Sequence, residues 1–247
     1  KKKKNNFEKV TDKNLKVAVL IISSTNTENK RWKMEKEIWK KYMNKNKNID
    51  CYFIECDNFN NVDIKNNLIK SKCKDSLIPG IYHKTLLSLK QIQDKYDFYI
   101  RTNLSTFINL DNLLYQIEKI KKEKYIYTGI IGHITDNNLN LKYVSGMSMV
   151  INNNIVKLLL KYGFPEKYYN SKLHDDVVIG QVFQDNFKDL INSYEIEWRY
   201  DLTDTKITES IFNQIDKKKI PFIRCINKDI NIGKKNLESL VSRYHPE

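Results

Sequence analysis

The chain has 247 residues and 40% of them are hydrophobic, so it is long and apolar enough for one large α/β domain or two small ones with a real core. Its 43 Lys and Arg outnumber 30 Asp and Glu, for a formal charge of +13; this field favours anionic partners, from nucleotide diphosphates and nucleic acid to acidic glycans and lipid headgroups, although Lys interleaved with Asn and Ile reads equally as a solvated surface. Cys51, Cys56, Cys73 and Cys225 show neither CxxC spacing nor a compact framework, which argues against a zinc ribbon and a disulfide-stapled scaffold and makes reduced thiols the default.

Residues 1–14 are rich in Lys and Asn without an apolar period, as expected of a disordered basic arm. Lys1 to Asn6 lack the apolar segment of a signal peptide, and no apolar run reaches the length of a transmembrane span. A cytoplasmic protein and a piece trimmed from a membrane-anchored or multidomain parent both fit.

Order is expected from Leu15. Lys16-Val-Ala-Val-Leu-Ile-Ile22 is a continuous, β-branched apolar run, the pattern of a strand covered on both faces, and Ser23-Ser24-Thr25-Asn26 ends it. From about Glu28 to Met43 the residues favour helix, with Trp32, Glu35 and Trp39 on helical spacing that puts both indoles in the core. Asp50-Cys-Tyr-Phe-Ile-Glu55 is a second strand. Together these make a βαβ unit and predict a mostly parallel, doubly wound sheet.

Ile78-Pro79-Gly80 precedes a helix over about 81–93, and Asp97-Phe-Tyr-Ile-Arg-Thr102 is the next strand. Helix is predicted from Asp111 to Lys121, strands from Tyr125 to Ile131 and from Lys142 to Ile151, and helix from Asn153 to Tyr162 before the stop Gly163-Phe164-Pro165. His174-Asp175-Asp176 opens a further helix running through Phe183, its acidic residues suited to the positive end of the dipole. Beyond Tyr194 the pattern weakens, with a last strand at Pro221 to Ile226. There is no internal repeat and no Gly/Ser linker, so residues 15–247 are expected to form a single domain.

Three segments at the ends of predicted elements carry chemistry: Arg101-Thr-Asn-Leu-Ser-Thr-Phe107, Tyr143-Val-Ser-Gly-Met-Ser-Met149, and His174-Asp-Asp-Val-Val-Ile-Gly180. Ligands of open α/β sheets gather beyond the carboxyl ends of strands, which makes the loop at Asn103 a candidate site. In order and spacing these segments, with His83-Lys84-Thr85 before them, resemble the fringe and β1,3-galactosyltransferase group of inverting GT-A glycosyltransferases. The resemblance runs from about Leu15 to Phe183.

It implies a GT-A (Rossmann-like) fold and transfer of a hexose or N-acetylhexosamine from a nucleotide-sugar, a UDP-sugar above all, to a hydroxyl of a glycan or protein acceptor. It assigns the general base to the acidic pair, with Asp176 as the base and Asp175 orienting the loop or sharing the role; either carboxylate also suits a helix cap. Ser145, Gly146 and His174 fall on the acceptor side. Ser23 and Ser24 are placed to meet the nucleoside, and Asp75 resembles part of a donor-facing Asp-Ser element that also reads as a turn signal.

The family's DxD motif supplies carboxylate oxygens to Mn²⁺ or Mg²⁺, whereas Asn103 and Ser105 supply neutral ones. Either the ion is held mainly by the donor phosphates, or cations such as Lys84, Arg101, Arg224 and Lys228 replace it. His245 is a poor substitute for the His that completes the metal site in relatives. Two other readings compete: a catalytically silent GT-A module that binds carbohydrate or protein, and a nucleic-acid-binding protein. The second lacks any nucleic-acid motif or basic element, and no glycine-rich phosphate loop is present.

Overall fold

The computed structural model describes residues 15–25, 28–136, 139–187 and 189–246; the arm expected over residues 1–14 lies outside the described residues. In chain order the elements are β1 (Val17–Ile22), α1 (Lys30–Lys40), β2 (Ile49–Asp57), β3 (Asn61–Asp63), β4 (Leu68–Lys72), α2 (Gly80–Ile92), β5 (Phe98–Asn103), β6 (Thr106–Ile108), α3 (Leu110–Ile120) and β7 (Tyr127–Thr128). There follow β8 (Ile131–Asp136), β9 (Leu139–Val144), β10 (Met149–Asn152), α4 (Asn153–Tyr162), α5 (Glu166–Tyr169), α6 (Asp175–Asn186), β11 (Arg199–Thr203), α7 (Glu209–Lys218), β12 (Phe222–Ile226) and α8 (Ile230–Tyr244).

A seven-stranded sheet in the order β3-β4-β2-β1-β5-β10-β7 forms the centre. Its middle strands β4, β2, β1 and β5 are parallel, and β10 joins β5 antiparallel. Alternation along these strands feeds two cores, one on each face. Val17, Val19 and Ile21 of β1 pack with Cys51, Phe53, Ile100, Ile38 and Trp39 on one side. Ala18 and Leu20 pack with Tyr52, Ile54, Tyr99, Leu86 and Leu89 on the other. Helices α1, α3 and α8 therefore cover the first face and α2, α4 and α6 the second, which is why the central strands read as continuous apolar runs.

Asparagine, abundant in this chain, starts several of these helices. The side chains of Asn29, Asn109 and Asn152 accept hydrogen bonds from first-turn N–H groups of α1, α3 and α4, and Thr208 and Asp229 do the same for α7 and α8. Past Tyr194, where the apolar pattern fades, lie β11, α7 and α8. With β12 and β6, β11 forms a second, three-stranded sheet, whose Leu202, Phe222, Ile223 and Phe107 complete the first core.

Four sequence expectations need correction. The strand expected over 142–151 is two strands, because Ser145 and Ser148 form a turn: Ser148 N–H donates to the Ser145 carbonyl at 3.1 Å. The strand expected over 125–131 is also two, broken at Gly129, whose φ of +145° and approach to the Ser148 carbonyl leave no room for a Cβ. Cys56 and Cys73 are joined in a disulfide rather than reduced; β2 and β4 run side by side with Cys56 opposite Ser71, so topology and not spacing unites them. Trp32, expected in the core with Trp39, is 41% exposed. Among the described residues no helix is long and apolar enough to cross a membrane.

Candidate functional site

The chain runs from β1 through α1 to β2 on one side, then returns through α2 to β5 on the other side of β1. Such a reversal opens a crevice at the carboxyl ends of the two strands. A cleft of about 880 Å³ lies there. Ser23 and Ser24 border it from the exit of β1, Asn103, Leu104 and Ser105 from the exit of β5, and Arg31, Trp32 and Glu35 from α1. Asp75 and Lys84 face it from beside and within α2, and Arg224 with Cys225 from β12.

Hydrogen bonds fix these walls to one another. The Trp39 indole N–H donates to the Leu104 carbonyl at 3.0 Å, tying α1 to the loop after β5. Cys225 N–H donates to the Ser105 carbonyl at 2.9 Å, tying that loop to β12. The loop after β5 is thus held between the two cleft walls.

The cations differ in what they have left to offer. Lys84 is buried, and its Nζ donates to Asp75 Oδ1 at 2.6 Å and to the Ser23 carbonyl at 2.7 Å. Asp75 also accepts from the Ser24 hydroxyl, so Lys84 and Asp75 brace the exit of β1 as a pair. The Ser23 hydroxyl donates to Glu55 at 2.8 Å. Arg224, by contrast, has no hydrogen-bond partner for its buried Nε among the described residues, and burial, then nearby Arg199, depresses its affinity for a proton. Arg31 donates to the Lys228 carbonyl at 3.0 Å. Lys228 itself is exposed and outside the cleft lining.

Behind the β5 loop, Arg101 joins the segments expected to converge. Its Nη1 donates to Asn103 Oδ1 at 2.9 Å, and its Nη2 lies 2.8 Å from Asp175 Oδ2, with both side chains buried. Gly146 lies over the guanidinium; a Cβ there would stand 2.4 Å from Nη1. The Gly146 N–H in turn donates to Asp176 Oδ2 at 2.9 Å. Burial pushes the Asp175 carboxyl above its ordinary range, opposed by Arg101. Asp176 is only partly buried.

Neither member of the acidic pair lines the cleft; Arg101 connects Asp175 to cleft-lining Asn103. Ser145 accepts from Arg199 Nη1 at 3.2 Å, and His174 is the exposed N-cap of α6, its ring making no capping bond. His245 packs against Tyr42, with ring planes 4° apart, and its Nε2 contacts the Ile108 carbonyl at 3.4 Å.

The donor set at the β5 loop does not fit a divalent cation. Asn103 and Ser105 carry no charge, and the Asn103 Oδ1 already accepts from a guanidinium, which would repel a metal. The cleft carboxylate Asp75 accepts from Lys84 and Ser24. Among the described residues no group of three or more His, Cys, Asp or Glu is placed to hold a metal.

Sequence reasoning missed Arg31, Trp32, Glu35 and Arg199. The first three lie on one face of α1 at spacings of one, three and four residues, a pattern that core packing produces equally well. Arg199 begins a strand in the region where no period was legible.

No family model and no curated protein matches the sequence. Among solved structures, a glycosyltransferase involved in the glycosylation of the major capsid of PBCV-1 superposes with a TM-score of 0.53 at 8% identity, covering 91% of this chain and 99% of that one. The fold is of the GT-A type. Weaker likenesses are to the WbbM bifunctional glycosyltransferase, with a TM-score of 0.48, 10% identity and coverage of 92% and 50%. Another is to 4-diphosphocytidyl-2C-methyl-D-erythritol synthase from Anaerococcus prevotii, with a TM-score of 0.43, 14% identity and coverage of 72% and 85%.

Proposed function

We propose that this chain is a nucleotide-sugar-dependent glycosyltransferase. It transfers a hexose or N-acetylhexosamine, from a UDP-sugar as the fringe-like motifs suggest, to an acceptor hydroxyl with inversion. The observation that carries this reading is Arg101, which ties cleft-lining Asn103 to the Asp175–Asp176 pair. A donor site and a carboxylate are thereby held one side chain apart, as a transfer between two bound substrates requires.

In this mechanism the nucleotide occupies the cleft beyond β1 and β5. Arg224 and Arg31 face the diphosphate and stabilise the negative charge that grows on it as the glycosidic bond breaks, the role that a metal fills where a DxD motif is present. Asp176 takes the proton of the acceptor hydroxyl as that oxygen attacks the anomeric carbon. The Gly146 N–H holds the Asp176 carboxylate, and Asp175, neutralised by Arg101, fixes the start of α6.

The test is a panel of nucleotide-sugars incubated with the chain, with and without EDTA, scoring donor hydrolysis and transfer. Turnover that resists EDTA is expected. A chain that binds nucleotide but turns over no donor is instead a silent binding module of the same fold, a reading that the missing DxD favours.

A further inference from the structure

Glu35 lines the cleft and takes no part in the proposed mechanism. It is 4% exposed, and among the described residues no hydrogen bond to its carboxyl is present, the charge of Arg31 alone opposing the effect of burial. Buried carboxyl groups are ordinarily paired, and one without a protein donor bears part of the desolvation cost of its charge. A partner that arrives with a ligand removes that cost.

The surroundings specify the ligand's chemistry. Trp32, on the same face of α1 and 41% exposed, presents an indole to the same cleft, and an aromatic plane beside a buried acceptor suits a flat heterocycle that carries N–H groups. Arg224, Cys225 and Ile226 line the same cleft. Burial and the approach of Glu35 push the Cys225 thiol up to about 12, so this neighbour stays neutral and adds no charge.

Resting on the nucleotide reading of the cleft, we infer that Glu35 selects the base: its carboxylate accepts a hydrogen bond from a ring N–H of a uracil- or guanine-type base stacked on Trp32. Uracil and guanine carry such a ring N–H, whereas cytosine and adenine present an unprotonated ring nitrogen that repels a carboxylate. Selection against the second pair then comes from the ring lone pair set against the carboxylate, which leaves only an exocyclic amino group to donate.

The experiment is a titration at about pH 8, above the region where burial places the Glu35 proton at about 7. Uridine, guanosine, cytidine and adenosine diphosphates and inorganic pyrophosphate are each titrated into the wild-type chain, Glu35→Leu and Glu35→Gln. In the wild type, uridine or guanosine diphosphate binds roughly tenfold to a hundredfold tighter than cytidine and adenosine diphosphates. Glu35→Leu removes that gap and leaves pyrophosphate affinity unchanged, while Glu35→Gln, which keeps an acceptor oxygen, retains part of it. A wild type that prefers cytidine or adenosine diphosphate, or that does not discriminate, overturns the assignment of Glu35 with the cleft reading intact. So does a gap that survives Glu35→Leu; should that variant not fold, the wild-type ranking decides. If neither pyrophosphate nor any nucleotide binds, the nucleotide cleft itself is refuted, and the role of Glu35 with it.

Discussion

Arg101 and Asp175 form a buried ion pair, 2.8 Å from Nη2 to Oδ2, at the junction of strand β5 and helix α6. Pairs this deep hold geometry more than they add stability, because the Coulombic gain barely offsets the desolvation of both groups. Removing one partner is a different matter. Arg101→Met leaves a carboxylate buried without its cation and is expected to destabilise the fold by about 3–5 kcal/mol, whereas Arg101→Met with Asp175→Leu recovers much of that loss. Urea unfolding of the two variants beside the wild type measures both; equal losses would show that the pair is not coupled.

Asp176→Asn tests the proposed base. The amide still accepts from the Gly146 N–H, so the fold and nucleotide affinity should persist while transfer falls about 10²–10⁴-fold. Transfer rate and nucleotide titration, measured on the same preparation, check the two halves. Near wild-type transfer would remove Asp176 from the reaction.

Arg224→Gln tests the proposed diphosphate contact. Losing a charge-assisted bond at a half-buried site should weaken binding of a nucleoside diphosphate by about 1.5–3 kcal/mol and leave the free nucleoside little affected. A matching loss for the nucleoside would place Arg224 away from the phosphates. Conversely, Asn103→Asp with Ser105→Asp supplies the missing carboxylates and should introduce a response to Mn²⁺. An unchanged response in a nucleotide titration would count against this loop lying beside the diphosphate.

Glu35 predicts a pH dependence of stability. Burial raises its carboxyl from an ordinary 4.5 to about 7, with Arg31 opposing, so the folded state retains the proton through a range in which the unfolded chain has lost it. Stability from this residue is complete below about pH 4.5 and is lost as pH rises through about 7, by on the order of 3 kcal/mol. Glu35→Gln carries no such penalty. Its unfolding temperature should exceed that of the wild type by several degrees at about pH 8, and the two should converge near pH 4.5. A difference constant with pH would show that the carboxyl stays ionised throughout.

The central sheet was legible because its strands are buried on both faces, so that β1 is an unbroken apolar run, Val17–Ile22, and β5 opens on one, Phe98 to Ile100. The short strands were not. Asn61–Asp63 and Thr106–Ile108 span three residues each, too few for a period to declare itself, and α7 buries little more than Phe212 and Ile215. At the site, spacing drew attention to Arg101, Asn103, Asp175 and Asp176, and Arg101 contacts both Asn103 and Asp175. What spacing could not convey was direction. Lys84 and Arg224 were equivalent cations in the sequence, yet the first is bound by Asp75 and Ser23 and the second faces the cleft with its Nε unmet.

Helix α1 divides its labour along a single cylinder of 11 residues. Ile38 and Trp39, toward its carboxyl end, are anchored in the interior, while Arg31, Trp32 and Glu35 look into the cleft. If the proposed reading of the cleft holds, one helix both seats itself in the interior and sets which molecule is admitted, so that exchanging positions 31, 32 and 35 would redirect the ligand while Ile38 and Trp39 keep the helix in place.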